Sequence, residues 1–242
     1  MEILKNIVEY YDELYPISEE QYQFYIKLKS QYSMPVKILH IGCGVGTLEH
    51  ELSKDGADVT GIETSTELIN LANLKRRTQL MSLRFFQLEI SEISRYLGKH
   101  FYNIISCLNS KLAFIKSSQE IKSFFFDCKD LLAENGTLVL QLYNFHAMEN
   151  EKTTELKSRE SDRALLFQHL TRKETQVFLT QKIKTGNGKI ISVREDEEVF
   201  PVSKEDIESF AKEAGFTTIQ FYNSFNLDSY SKESEYIVCI IQ

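Results

Sequence analysis

The sequence predicts an α/β fold, a doubly wound parallel sheet with helices on both faces. Three observations predict it. Short β-rich runs alternate with helical patterns from residue 36 to residue 143, which marks successive βαβ units. The runs at 104–108 and 138–142 are continuously apolar, as strands covered on both faces are. Glycine is scarce, 10 in 242 residues, yet Gly42, Gly44, Gly46, Gly56 and Gly61 all fall within residues 42–61, where the first strand meets the first helix of the alternation.

The elements follow in order. Residues 2–33 show helical spacing, with Ile3, Ile7, Tyr10, Tyr11 and Leu14 recurring at threes and fours before Pro16 interrupts. A second helix with Tyr22, Tyr25, Ile26 and Leu28 then runs toward Pro35, which ends the region. VKILHI (36–41) is the first strand, 47–55 a helix stopped by Gly56, and ADVTGI (57–62) the second strand. Thr64-Ser65-Thr66-Glu67 reads as a capping box opening a helix to about Gln79. LRFFQL (83–88), FYNIISCL (101–108) and TLVLQLY (137–143) are strands three to five, with a short helix at 91–97 and a longer one at 118–133 between them. Asn135-Gly136 marks a turn.

The pattern changes after strand five. Residues 146–162 are polar and charge-rich and carry no strand signal. Three strand-like runs follow, at 164–170, 175–184 and 189–200, the last two flanking the hairpin signal Gly186-Asn187-Gly188. This reads as a small antiparallel β insertion. The alternation resumes with Ser203 as an N-cap, a helix to Ala214, and strands at 216–222 and 235–241.

Composition narrows the function. Net charge is −7, so no overall field attracts a phosphate backbone. Lys75-Arg76-Arg77 is the densest basic run, and cations at a helix end complement its dipole without any partner. Cys43, Cys107, Cys128 and Cys239 form no CxxC pair and three of them lie in or beside apolar runs, which fits buried thiols rather than a zinc site or a disulfide framework. The N-terminus shows no signal-peptide core, and no apolar run approaches ~20 residues. The expected location is the cytoplasm, with no membrane anchor and nucleic acid an improbable partner.

The glycine window carries the chemistry. Gly42-Cys43-Gly44-Val45-Gly46 turns a strand directly into a helix. Glycines there let the backbone approach a ligand, and the helix start presents free N–H groups. Glu63 ends the second strand, where a carboxylate can accept hydrogen bonds from ribose hydroxyls. Strand, glycine loop, helix, strand and acid together make a nucleoside-binding constellation. Thr47 stands where the dinucleotide fingerprint G-x-G-x-x-G needs its third glycine, which disfavours a nicotinamide cofactor.

ILHIGCGVG (38–46) is similar to the first motif of class I S-adenosylmethionine-dependent methyltransferases, and VTGIETS (59–65), FFQLEI (85–90), YNIISCLNS (102–110) and LLAENGTLVLQLYN (131–144) resemble their later segments. The resemblance covers about residues 36–144 and 203–242. It implies a seven-stranded Rossmann-like sheet whose last strand is antiparallel, an enzyme that uses S-adenosyl-L-methionine and releases S-adenosyl-L-homocysteine, and a small-molecule methyl acceptor. An RNA or protein methyltransferase and a non-catalytic binder of the adenosyl ligand are the alternatives. The resemblance implies cofactor contacts from His40, Gly42, Cys43, Gly44, Gly46, Glu63 and Thr64, from Glu89 and Ile90 at the adenine, and from Leu108 and Asn109. His40 stands where the family usually has an acid. A protonated imidazole is unfavourable beside a sulfonium and a neutral one can hydrogen-bond, so cofactor affinity is expected to weaken as pH falls through about 6.5, a point that pairing of His40 with Glu63 or Glu89 would move.

Methyl transfer needs positioning more than covalent help, so no obligatory catalytic residue is expected. Ligands in such sheets sit at the carboxyl ends of the strands. The substrate candidates are therefore Tyr143 and Asn144 after strand five, Tyr11 and Tyr15 from an N-terminal helical cap over residues 1–34, and Arg194 from a flap inserted at 146–202. Gln168 and Gln181 are expected on the flap's exposed face. Arg194 is followed by Glu195, Asp196, Glu197 and Glu198, so an internal ion pair competes with a substrate role. The whole chain reads as one methyltransferase-like domain.

Overall fold

Val36, Ile38, Leu39 and Ile41 carry the start of the sheet into the interior, each at 1% exposure or less. The computed structural model describes residues 5–76, 82–148 and 151–242. Three N-terminal helices, α1 (Lys5–Val8), α2 (Tyr11–Leu14) and α3 (Glu19–Lys29), precede the sheet. Then come β1 (Lys37–Ile41), α4 (Thr47–Lys54), β2 (Asp58–Glu63), α5 (Thr66–Lys75), β3 (Leu83–Gln87), α6 (Ile93–Tyr96), β4 (Tyr102–Cys107), α7 (Ser118–Leu131) and β5 (Leu132–Tyr143). Four strands follow, β6 (Thr153–Glu160), β7 (Ala164–Lys173), β8 (Gln176–Thr185) and β9 (Ile190–Val199). The chain closes with α8 (Lys204–Glu213), β10 (Ile219–Tyr222) and β11 (Tyr236–Ile241).

The main sheet has the order β10-β11-β5-β4-β1-β2-β3. Strands β1 to β5 are parallel, and β11 is antiparallel to both β5 and β10. This is the seven-stranded sheet with an antiparallel last strand that the sequence predicts. The chain winds outward from β1 in both directions, so strand order reverses between β1 and β4, and a crevice opens at their carboxyl ends. Phe24, Tyr25 and Leu28 of α3 join α4 and α5 in the core on one face of the sheet. Ile93, Phe124, Phe125, Ile207 and Phe210 from α6, α7 and α8 fill the other. Each such side chain contributes about 1.5–3 kcal/mol by leaving water.

The insertion is a separate antiparallel sheet ordered β6-β7-β8-β9. It has one strand more than expected. β6 lies within the charge-rich stretch, where only Leu156 is buried, and it pairs with β7 at the sheet's edge. Edge strands tolerate and favour charge, so a strand was hidden in a composition that reads as loop. Two local expectations also shift. Ser65, not Thr64, caps α5, accepting from Leu68 N at 3.3 Å. β5 begins at Leu132, and Asn135 at φ +59° sits within it at an irregularity in its pairing with β4. The remainder of the predicted α5 to Gln79, including Arg77, lies outside the described residues.

The expected cap over 1–34 divides in two. α3 belongs to the sheet's helical layer, where the Tyr25 hydroxyl donates to Ser106 Oγ on β4 at 2.7 Å. α1 and α2 instead pack on the insertion through Ile7, Leu14, Leu166, Ile183 and Val193. Only this short pair stands over the crevice. Among the described residues no helix is long and apolar enough to cross a membrane.

Candidate active site

The glycine loop is a left-handed turn made of backbone. Gly44 and Gly46 have φ +60° and +77°, a region other residues enter at a cost of roughly 1–2 kcal/mol. The N–H groups of Gly42 and Cys43 both donate to Ile62 O, at 2.8 and 3.0 Å, which ties the loop to β2. A Cβ on Gly44 would overlap the Tyr11 ring, and one on Gly46 the Phe85 ring. Gly61 answers a packing need: a Cβ there would lie 2.6 Å from Phe85 and 2.9 Å from Cys43 Sγ. Phe85 is thus the apolar floor of the loop.

Glu63 is the electrostatic centre. It is 4% exposed and accepts from Gly44 N at 3.1 Å, Thr64 N at 2.8 Å and Ser65 N at 3.3 Å. Lys111 Nζ stands 3.4 Å from its Oε2. Burial pushes the carboxyl's pKa up, but Lys111 and the three backbone donors together outweigh it and hold the pKa below its ordinary value. Glu63 is an anion at neutral pH and a strong acceptor.

His40 has a partner that the sequence reading missed. Its Nδ1 is paired with Glu49 Oε1, on the first turn of α4, and not with Glu63 or Glu89. The two side chains are 7% and 1% exposed. His40 Nε2 and Glu49 Oε2 are buried and find no hydrogen-bond partner among the described residues. An unanswered buried polar atom in a native fold is the kind of group that a water, an ion or a ligand completes.

Three cavities share these walls. The outermost, about 560 Å³, is lined by Gly42, Glu63, Thr64, Glu89, Ile90 and Lys111 among others. The second, about 170 Å³, lies against His40, Gly42, Cys43, Glu49, Asn109 and Gln141. The innermost, about 40 Å³, lies between α1–α2, the ends of β4 and β5, and the insertion. Tyr11, Tyr15, Asn109, Tyr143, Arg159 and Arg194 all reach it. Asn109 is at φ +52°, a conformation asparagine tolerates better than most residues, and its N–H donates to Gln141 Oε1 at 3.2 Å. Tyr11 and Tyr15 stack at 4.9 Å. Burial, the largest effect in each case, pushes the phenols of Tyr11 and Tyr143 well up and that of Tyr236 up to about 12. These phenols keep their protons at neutral pH and are not bases.

The cap is clasped over this space. Asp12 accepts from Thr47 Oγ1 at 2.6 Å and pairs with Lys75. Glu9 and Glu13 pair with Arg163 of the insertion. Arg194 is paired with Glu197 and lies 4.3 Å over the Phe114 ring, so the internal ion pair is present.

Several expected site residues sit elsewhere. Leu108 is 1% exposed within the core beside α3 and α4 and lines none of the three cavities, because its side chain turns into the sheet's helical layer. Asn144 is fully buried and donates to the Ser231 and Lys232 carbonyls at 3.3 and 3.0 Å; it ties β5 to the loop before β11. Gly46 faces Phe85 instead of a cavity. Gln168 and Gln181 are buried, not exposed, and hydrogen-bond to each other at 2.7 Å. Lys111, Glu49 and Arg159 are the site residues the sequence reading passed over.

A strand, glycine loop and helix followed by an acid at the tip of β2, set at the reversal of a seven-stranded sheet with β11 antiparallel, give the architecture of class I S-adenosylmethionine-dependent methyltransferases, and the chain carries a methyltransferase domain. Residues 38–136 match the family model of the methyltransferase domain. The chain is 24% identical over 207 residues to a protein of Geobacillus sp. (strain WCH70) named "Putative methyltransferase", covering 82% of this chain and 81% of that one. The CcbJ methyltransferase from Streptomyces caelestis superposes with a TM-score of 0.81 at 16% identity, over 98% of this chain and 95% of that one. The SAM-bound amino pentose methyltransferase CalS10 from Micromonospora echinaspora superposes with a TM-score of 0.70 at 14% identity, over 98% and 96%. The CalS10 structure holds S-adenosylmethionine.

The residues present fit that cofactor. The loop backbone at Gly42 and Cys43, an ionised Glu63 and an orphaned His40 Nε2 converge on the two outer cavities, while Gly44 lies against Tyr11 and lines none of the three. Two side chains lie across the loop, Tyr11 against Gly44 and Lys111 against Gly42. Lys111 is a long flexible side chain, whereas the Tyr11 ring is stacked on Tyr15.

Proposed function

We propose that this enzyme transfers the methyl group to a small molecule held in the innermost cavity. The observation that carries the reading is enclosure. The cavity lies at the carboxyl ends of β4 and β5 beneath α1–α2 and the β6–β9 sheet, and at about 40 Å³ it admits only a few heavy atoms at the present position of the cap, since one water needs roughly 10–15 Å³ on this measure. A strand of RNA or a protein side chain would have to displace the cap first.

The cofactor supplies an activated methyl on a positively charged sulfur. This chain's residues do the rest. Glu63 accepts from the ribose hydroxyls, with Thr64 beside it. Glu89 and Ile90 meet the adenine in the outer cavity. Gly42 and Cys43 border the methionyl end. His40, giving its Nδ1–H to Glu49, presents Nε2 there as an acceptor for the ammonium group. Asn109, which borders both inner cavities, positions the acceptor, and Tyr11, Tyr15 and Tyr143 exclude water around it. Burial holds the protons of the Tyr11 and Tyr143 phenols in place, so neither serves as a base and the acceptor's nucleophile arrives with its lone pair free.

Thermal unfolding with S-adenosylhomocysteine and with NAD tests the cofactor half, because only a bound ligand raises apparent stability by mass action. The homocysteine ligand is expected to raise Tm by several degrees and NAD not at all. Transfer of label from S-adenosylmethionine to a metabolite fraction, with none to tRNA or total protein, tests the acceptor half. Label in the macromolecules alone refutes it.

A further inference from the structure

Three cations line the innermost cavity: Lys111, Arg159 and Arg194. Lys111 faces Glu63 and Arg194 is paired with Glu197. Arg159 has no carboxylate partner among the described residues. Its Nη1 reaches Leu14 O at 3.5 Å and its Nη2 reaches Asn109 Oδ1 at 3.4 Å, both long contacts to neutral oxygens. Its guanidinium lies 4.3 Å over the Tyr15 ring; no carboxylate among the described residues lines the innermost cavity, and Glu49, which lines the neighbouring cavity that Arg159 also borders, is paired with His40 instead. An arginine side chain keeps its charge at any pH a folded protein meets. The phenols around it do not answer that charge, since burial holds the protons of Tyr143 and Tyr236 in place. A partly buried guanidinium with no counter-ion is what a carboxylate-binding site looks like before its ligand arrives. Its five N–H groups are engaged by no more than the Leu14, Asn109 and Tyr236 oxygens, which leaves two for a bidentate contact.

We propose that the methyl acceptor carries a carboxylate that seats on Arg159. The inference rests on the small-molecule reading above and deepens it. Arg159 and its neighbour Asn109 also border the cavity of His40 and Gly42. A carboxylate on Arg159 therefore stands a few heavy atoms from where the methyl group is delivered. The acceptor is then a small acid whose nucleophile lies close to its carboxylate. Tyr15 positions the guanidinium by stacking, and Tyr143 and Tyr236 serve as further O–H donors to the same anion.

The test uses the full-length enzyme saturated with S-adenosylhomocysteine and measures binding of acetate, acetamide and inorganic phosphate by ligand-observed NMR. Acetate is expected to bind at least tenfold more tightly than acetamide, and Arg159→Gln, likewise saturated with S-adenosylhomocysteine, is expected to lose that preference. Arg159→Lys, which keeps the charge and loses the fork, is expected to fall between them. Equal binding of acetate and acetamide to the wild type overturns the proposal, as does full acetate affinity in Arg159→Gln or binding of phosphate in preference to acetate. Should Arg159→Gln not fold, the wild-type contrast decides alone. A protein that fails to bind S-adenosylhomocysteine defeats the underlying reading; one that binds it without discriminating acetate defeats only this inference.

Discussion

Replacing Glu63 by Gln keeps the side chain's volume and one acceptor oxygen but removes the charge. In the wild type the carboxylate is 4% exposed and already holds three backbone donors and Lys111. It is therefore preorganised, and a ribose loses little in ordering it. Hydrogen bonds to a charged acceptor contribute about 1.5–3 kcal/mol each. Weakening two such bonds by half or more amounts to about 2–3 kcal/mol, or roughly 30- to 150-fold in Kd. Calorimetric titration with S-adenosylhomocysteine reads this directly. A Kd within threefold of wild type, with the fold intact by thermal unfolding, would refute the ribose role. The same variant has a stability consequence with a defined sign. The folded-state pKa of Glu63 lies below its ordinary value of 4.5, so its ionisation stabilises the fold above that pH. That stability is lost as pH falls from about 4.5 through the lower folded value. Glu63→Gln should therefore be less stable than wild type at neutral pH, by about 1–3 kcal/mol from the unpaired donors, and the gap should narrow in acid.

Three further outcomes follow. Gly44→Ala forces a left-handed alanine into the Tyr11 ring and should cost about 1–2 kcal/mol or more, read by urea unfolding, and should weaken S-adenosylhomocysteine binding as the cap shifts; an unchanged midpoint would contradict the packing. Phe85→Ala removes the floor beneath Gly46 and Gly61 and should destabilise by about 3–5 kcal/mol, visible as a large drop in Tm. Glu49→Ala strands the buried His40 Nδ1 and should cost about 1–3 kcal/mol, read by chemical denaturation; an unchanged midpoint would contradict the pairing.

Legibility followed distance along the chain. The glycine loop and Glu63 were readable because their relation is set within one βαβ unit, where backbone geometry leaves little choice. The antiparallel last strand came with the family resemblance, which spans the same units. Thr64, Glu89 and Ile90 reach the outer cavity because they follow the ends of β2 and β3, which the alternation locates to within a residue or two. Leu108 and Asn144 adjoin strand ends just as Asn109 does, yet their side chains turn into the core or into the loop before β11. Which way a residue at a strand end faces depends on neighbours from other elements, and spacing carries no trace of it. Glu49 was passed over because an acid in the first turn of a helix has a sufficient local reason to be there. Arg159 was passed over because its segment is charged and polar, and an edge strand presents the same composition as a solvated loop.

By itself, then, the sequence determined the α/β order, the cofactor loop and the acid at the tip of β2. These depend on local conformation: where glycine permits a left-handed turn, where apolar runs must be covered on both faces, and where a helix start exposes N–H groups. Only the tertiary structure decided what closes the site. It brings α1–α2 from the N-terminus and β6 from the far side of the chain onto the ends of β4 and β5, clasps Asp12 to Thr47 and Glu13 to Arg163, and sets Arg159 against Asn109. Those contacts join residues up to 150 positions apart, and they form because α1–α2 and the β6–β9 sheet each have an apolar face that nothing nearby in sequence can cover.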